Sequence, residues 1–442
     1  MMIKRVFVSL VFMCFASVLW ASSLFAGGSA DLEKKLDELT RLNKALTERL
    51  EQVEKELKTL KAHEGEAVPY KAEGVEEAKW YDRIDVGLSV AGVAMDVSGV
   101  DKDIIDATNG AADANKSYGS VQVDMEVSAE FAKNSRGFIL LEMGSGKSPM
   151  EDLGEEFYPF AGIADEAVMG PEDDLGEGDV RISEAWYEHD FVAPGGNLRF
   201  RVGKVDITTD FDTNEVANDE NSQFMSEMFV NNIAVDWPDY AFGAMLWYES
   251  DLVSVGMGYA DHDGEWEELF DTPFAIFEVD VTPSIAGLKG NYRVYAWYND
   301  DPQESYNNGV SDGYGIGLSI DQEVANGVGV FLRYGWMTGD EDVYPINYSV
   351  SGGVALKGSL WNRAGDCLAI GVGMSGLAGS YEDELEDNGY DSDSEYHVEA
   401  YYSYQVNNHF SVTPSIQWTQ NPAGFDDMDD MWIFAVRGFW EF

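Results

Sequence analysis

The chain has 442 residues and a formal net charge of −53 at neutral pH. That acidity excludes nucleic acid as a partner, because phosphate backbones are bound through basic contacts. A hydrophobic fraction of 45% with a mean hydropathy of −0.25 excludes a bundle of membrane helices, while 45 glycines and 13% aromatic residues suit many short strands joined by tight turns.

Residues 1–26 read as a secretory signal. Lys4 and Arg5 form the charged start, residues 6–19 the apolar run, and small residues near Ala26 and Gly27 the cleavage point. The run is too short for a membrane-spanning helix. Cys14 leaves with the signal, so Cys367 has no partner for an internal disulfide and no cysteine metal motif is available.

Residues 31–63 carry heptads. Leu36, Asn43, Leu50 and Leu57 take the a positions, and Leu32, Leu39, Leu46, Val53 and Leu60 the d positions. A narrow, strictly a/d seam predicts an α-helical coiled coil and therefore a homo-oligomer, with Asn43 fixing the register. Residues 64–79, with Gly65, Pro69 and Gly74, form a polar linker.

From Trp80 to Phe442 the hydrophobic period becomes two. Val121, Val123, Met125, Val127, Ala129 and Phe131 oppose Gln122, Asp124, Glu126, Ser128 and Glu130. At the end of the chain Trp432, Phe434, Val436, Gly438, Trp440 and Phe442 oppose Ile433, Ala435, Arg437, Phe439 and Glu441. Side chains of a strand alternate between faces, so strand after strand has one apolar and one polar face. A soluble core does not explain that repetition; lipid outside and water inside a closed cylinder do. The pattern predicts an all-β transmembrane β-barrel over residues 80–442 with about sixteen antiparallel strands, preceded by the coiled coil.

Long connections between strands are acidic. Residues 150–179 hold eleven carboxylates and no basic residue, and residues 381–395 hold eight. Asp391, Asp393 and Glu395 are the candidate ligands for a hard cation such as Ca²⁺, which prefers several carboxylates. No EF-hand spacing is present, and no tightly bound cofactor is expected.

The apolar phase of each strand assigns the lumen. It places Arg293 inside with Tyr295 and Trp297, Arg333 with Phe331, and Arg437 with Phe439. Glu184, Trp186 and Glu188 share an inward face, as do Arg199 and Arg201. Arginines, carboxylates and rings together suit sugars, whose hydroxyls pair with charged groups and whose CH faces pack on aromatics. Residues 208–230 form a long loop with internal aromatics, expected to fold inward and narrow the bore. No Gly-x-Ser-x-Gly elbow, phosphate loop or His-Glu-x-x-His helix occurs, so the chain is not expected to be an enzyme.

Residues 184–186, 198–204 and 210–224 together resemble the middle of carbohydrate-selective porins of the OprB type. The likeness continues through residues 327–336, 353–358, Arg363, Asp366-Cys367-Leu368, 398–406 and 413–424, in the family's order. The resemblance implies a sixteen-stranded channel of the bacterial outer membrane for passive diffusion of sugars or similar small polar solutes, with arginines at its constriction. Carried over residue by residue, it puts Glu184, Trp186, Arg201, Lys204, Asp206, Asn214 and Arg333 on the matching motifs, beside the independently phased Arg293. The chain departs from the pattern in its leading coiled coil, in Asn421-Pro422-Ala423-Gly424, and in its more acidic loops. A coiled coil before such a barrel, on the periplasmic side, also resembles siderophore-uptake porins of the LbtU type. A structural envelope anchor is the remaining alternative.

Overall fold

The computed structural model describes residues 83–100, 115–153, 159–162, 180–262, 264, 269–270, 272–300, 313–339 and 344–442. All of them fall in the compact unit Ala78–Phe442. The signal (1–26), the heptads (31–63) and the linker (64–79) lie outside the described residues.

Sixteen long strands form one antiparallel sheet. In chain order they are β1 (Ile84–Ser98), β2 (Ser117–Ala132), β3 (Ser135–Lys147), β4 (Val180–Ala193), β5 (Gly196–Val205), β6 (Ala241–Glu249), β7 (Val253–Asp261) and β8 (Pro273–Val281). They continue with β9 (Leu288–Asn299), β10 (Gly313–Ala325), β11 (Val328–Gly339), β12 (Ile346–Lys357), β13 (Cys367–Leu377), β14 (Glu395–Asn407), β15 (Phe410–Gln420) and β16 (Met431–Glu441). A two-residue strand, Ser284–Ile285, pairs with the start of β9. Each long strand pairs with the next, and β16 returns to pair with β1 from Ser89↔Glu441 to Ser98↔Trp432. Phe442 exchanges backbone hydrogen bonds with Leu88 at 2.9 and 3.3 Å, which adds a further link to the seam. A closed sheet leaves no edge, as a span through lipid requires.

The phase follows the sequence. Val294, Ile316, Val372 and Phe434 face outward and are more than half exposed, while Tyr295, Phe331 and Ile433 face inward and are buried. Short turns occupy one end of the barrel, for example Pro194-Gly195, where Gly195 takes φ +80° without steric cost. The other end carries the long connections, together with the short helices α1 (Met150–Leu153), α2 (Glu227–Val230) and α3 (Gly379–Asn388).

Two glycines of β10 let rings lie flat on the wall. The Tyr295 ring occupies the space a Cβ on Gly317 would take, and the Trp297 ring does the same at Gly315. These rings join an apolar cluster inside the barrel with Phe211, Trp186 and Trp247.

Candidate functional site: the barrel interior

The strand register places Glu188 directly opposite both Arg136 on β3 and Arg201 on β5. Arg201 donates from Nε and Nη2 to Glu188 Oε2 at 3.0 and 2.9 Å, and its Nη1 stands 2.6 Å from Asp210 Oδ2. Arg199 reaches the other Asp210 oxygen at 2.6 Å and Glu249 at 3.0 Å. Arg136 Nε donates to Glu188 Oε1 at 2.9 Å. The result is a ladder of alternating charges across β3–β6, in which each guanidinium is matched by a carboxylate at bonding distance.

Trp186 lies within this ladder. Phe138 stacks on it at 4.9 Å between centroids, the Arg201 guanidinium sits 4.1 Å from its ring and that of Arg136 5.3 Å. Its indole N–H donates to Glu184 Oε2 at 2.8 Å. Phe138 and two guanidiniums crowd the indole, so it does not offer a free surface for stacking a sugar. Ser183 and Glu184 are both buried although adjacent, because the β3–β4 register slips between Leu140 and Leu141.

Three expected pore residues are placed differently. Arg201, Gly203 and Val205 point inward, so Lys204 shares the outward face with its partner Phe242, and its ammonium donates to the Ile182 carbonyl at 2.9 Å. Asp206 turns back on its own loop, accepting from the Thr208 amide at 2.8 Å and hydroxyl at 2.7 Å. Asn214 donates to Ser319 Oγ and the Ile320 carbonyl, while its Oδ1 accepts from the Val216 and Ala217 amides. It stitches the loop to β10.

Arg293 is inward and 7% exposed, with Nη1 2.8 Å from Asp321 Oδ2. Arg333 is 1% exposed: Nε pairs with Asp212 at 3.0 Å, and its other nitrogens donate to the carbonyls of Phe229, Asp212 and Ala217 at 2.8–3.1 Å. It clamps a loop rather than facing an aqueous constriction.

That loop is residues 206–240, and its fold explains the buried charges. Asp212 also accepts from the Tyr295 hydroxyl at 2.7 Å and the Asn232 amide at 2.8 Å. Inward carboxylates of the wall take further loop amides: Glu278 from Asp212, and Glu399 from Met225 and Ser226, at 2.9–3.1 Å. Arg437 donates to the carbonyls of Glu220 and Gln223. Irregular backbone is tolerated at membrane depth only where protein satisfies it, and here side chains of the wall do so. Phe224 and Phe229 then pack against Phe331, Tyr401 and His397.

Glu395 belongs with these loop holders rather than with Asp391 and Asp393. It opens β14, is fully buried, and accepts from the amides of Phe160, Ala161 and Ala423 at 2.7–2.9 Å. Among the described residues no group of three His, Cys, Asp or Glu is placed to hold a metal ion. Sequence reasoning also missed Asp212, Glu278 and Glu399. Glu278 and Glu399 carry the signal of a carboxylate at an inward strand position, Asp212 lies in the loop, and the partners of all three stand far away along the chain.

The sequence matches the family model described as carbohydrate-selective porin, OprB family, over residues 108–442. A protein of Aquifex aeolicus, called uncharacterized, is 32% identical over 156 residues, 35% of this chain and 43% of that one. The putative porin QuiX of Acinetobacter baylyi is 22% identical over 305 residues, covering 58% of this chain and 68% of its own. Among solved structures, Pseudomonas putida OprB at high pH superposes with a TM-score of 0.66 at 17% identity, over 81% of this chain and 94% of that one.

Proposed function

Because the chain belongs to the OprB family of carbohydrate-selective porins, we propose that it carries out passive diffusion of sugars or similar small polar solutes across the bacterial outer membrane. The observation that carries this reading is a closed barrel with an apolar outer belt, whose bore is narrowed by the inward loop of residues 206–240. Small polar solutes cross such a bore by exchanging water for wall hydrogen bonds, with no turnover and no bound cofactor. The outer belt contacts outer-membrane lipid, and the heptads over residues 31–63 join copies of the chain on the periplasmic side.

Reconstitution in planar bilayers tests the proposal. The mature protein is expected to open in discrete steps, and neutral oligosaccharides to reduce the current in a concentration-dependent way. Current blocked by a ferric siderophore but indifferent to sugars would reassign the solute. A protein that inserts and stays electrically silent would be an envelope anchor.

A further inference from the structure

The inner wall is covered unevenly. On β10, β12, β14 and β15 the inward polar residues Ser319, Ser351, Glu399, Gln417 and Thr419 are 0–4% exposed, and Ser319 and Glu399 bond directly to the inner loop. In the halves of β1 and β2 nearer the short turns the inward residues Asp85, Glu126 and Glu130 are exposed, and Ser89, Gln122 and Asp124 are half-buried, whereas Ala91, Val93, Met95, Val97 and Tyr118, nearer the long connections, are buried. Side chains of one chemical type therefore meet water on one side of the lumen and protein on the other.

We infer that solute passes along the short-turn half of the wall formed by β1, β2 and β3, and that the charge of this wall favours neutral and cationic polyhydroxy solutes over anions. The inference rests on the porin reading. Register sets Ser89, Asp124 and Glu142 in one row across the three strands. Ser89 donates to Asp124 at 3.1 Å, and Gln122 bridges Asp124 at 2.9 Å and Glu142 at 3.4 Å. Two carboxylates directly opposite one another repel, a cost that water and mobile cations in the lumen screen. Two guanidiniums beside these carboxylates are already matched: Arg136 on β3 by Glu188 at 2.9 Å, and Arg181 on β4 by Glu142 at 3.1 Å. Among the described residues Asp124 and Glu126 have no ion-pair partner. Uncompensated carboxylates in a low-dielectric cylinder concentrate cations and repel anions. The arginines that a sequence reading places at the constriction are spent on loop carbonyls and carboxylates.

Single cysteines in a Cys367→Ser background test the route, with conductance recorded while a cationic thiosulfonate reagent is added. Gln122→Cys and Glu126→Cys are expected to react and lower the current of open channels, and Ser351→Cys and Ser415→Cys to stay unreactive. Open channels that react at 351 or 415 and not at 122 or 126 overturn the route. Reversal potentials across a KCl gradient test the charge: wild type is expected to prefer K⁺, and Asp124→Asn/Glu126→Gln to lower the K⁺/Cl⁻ permeability ratio at least about twofold. An unchanged ratio in open channels overturns the charge assignment and leaves the porin reading standing. Absence of any channel in wild type removes both.

Discussion

Glu399 on β14 and Glu126 on β2 are the same side chain on the inward face of a strand, with opposite surroundings. Glu399 is fully buried and receives two backbone amides of the inner loop; Glu126 is exposed to the lumen. The difference teaches that a polar inner face is not by itself a water-lined one. On one side of this barrel polarity holds protein in place, and on the other it faces whatever crosses.

Four substitutions break or sharpen that contrast. Arg333→Ala has the largest expected effect, since it leaves Asp212 and three loop carbonyls without their cation. Removing one partner of a buried pair costs about 3–5 kcal/mol. Melting followed by tryptophan fluorescence in detergent is expected to fall sharply, and single-channel conductance to rise as the loop detaches. Conductance equal to wild type would mean the loop is held without Arg333. Glu399→Gln keeps an acceptor but loses the charge that two amides share, an expected loss of about 1–3 kcal/mol by the same melting measurement.

A carboxylate outside both walls supplies the third test. Asp366, in the turn between β12 and β13, is held down to about 2 by the Arg363 hydrogen bond at 2.5 Å and by the Tyr402 hydroxyl at 2.5 Å. A carboxylate whose folded value lies below the unfolded value of about 3.9 contributes stability above that pH. That contribution is expected to fade as pH drops from about 4 toward 2. Melting of Asp366→Asn over the same range is expected to lose this component of the pH dependence, and an identical slope in both proteins would refute the pairing. The smallest effect is expected from Lys204→Gln, which lies on the outward face. Its K⁺/Cl⁻ permeability ratio should equal wild type, and a measurable shift would return Lys204 to the lumen.

Much of the architecture was legible because period-two alternation is a local signal. The phases of Trp186, Arg293, Arg333 and Arg437 follow from their immediate neighbours, and the barrel from repetition of that pattern. Lys204 was legible in the same way, since it sits an odd number of residues from Arg201, but motif matching overrode parity. The function of Arg333 was not legible. It lies 121 residues from Asp212 and 104 from Phe229, and nothing local to either strand or loop announces the pairing. Glu395 fails for a related reason: its acidic neighbours in sequence suggested a loop, while its place as the first residue of β14 turned it inward.

Gly317 shows how far a missing methyl reaches. Its bare backbone lets the Tyr295 ring settle on the wall, and from there the phenol grips Asp212, which in turn grips Arg333. An alanine at 317 would push the ring toward the axis and shift the carboxylate with it. The anchorage of the inner loop thus depends partly on a wall position whose own nearest neighbour is the Tyr295 ring.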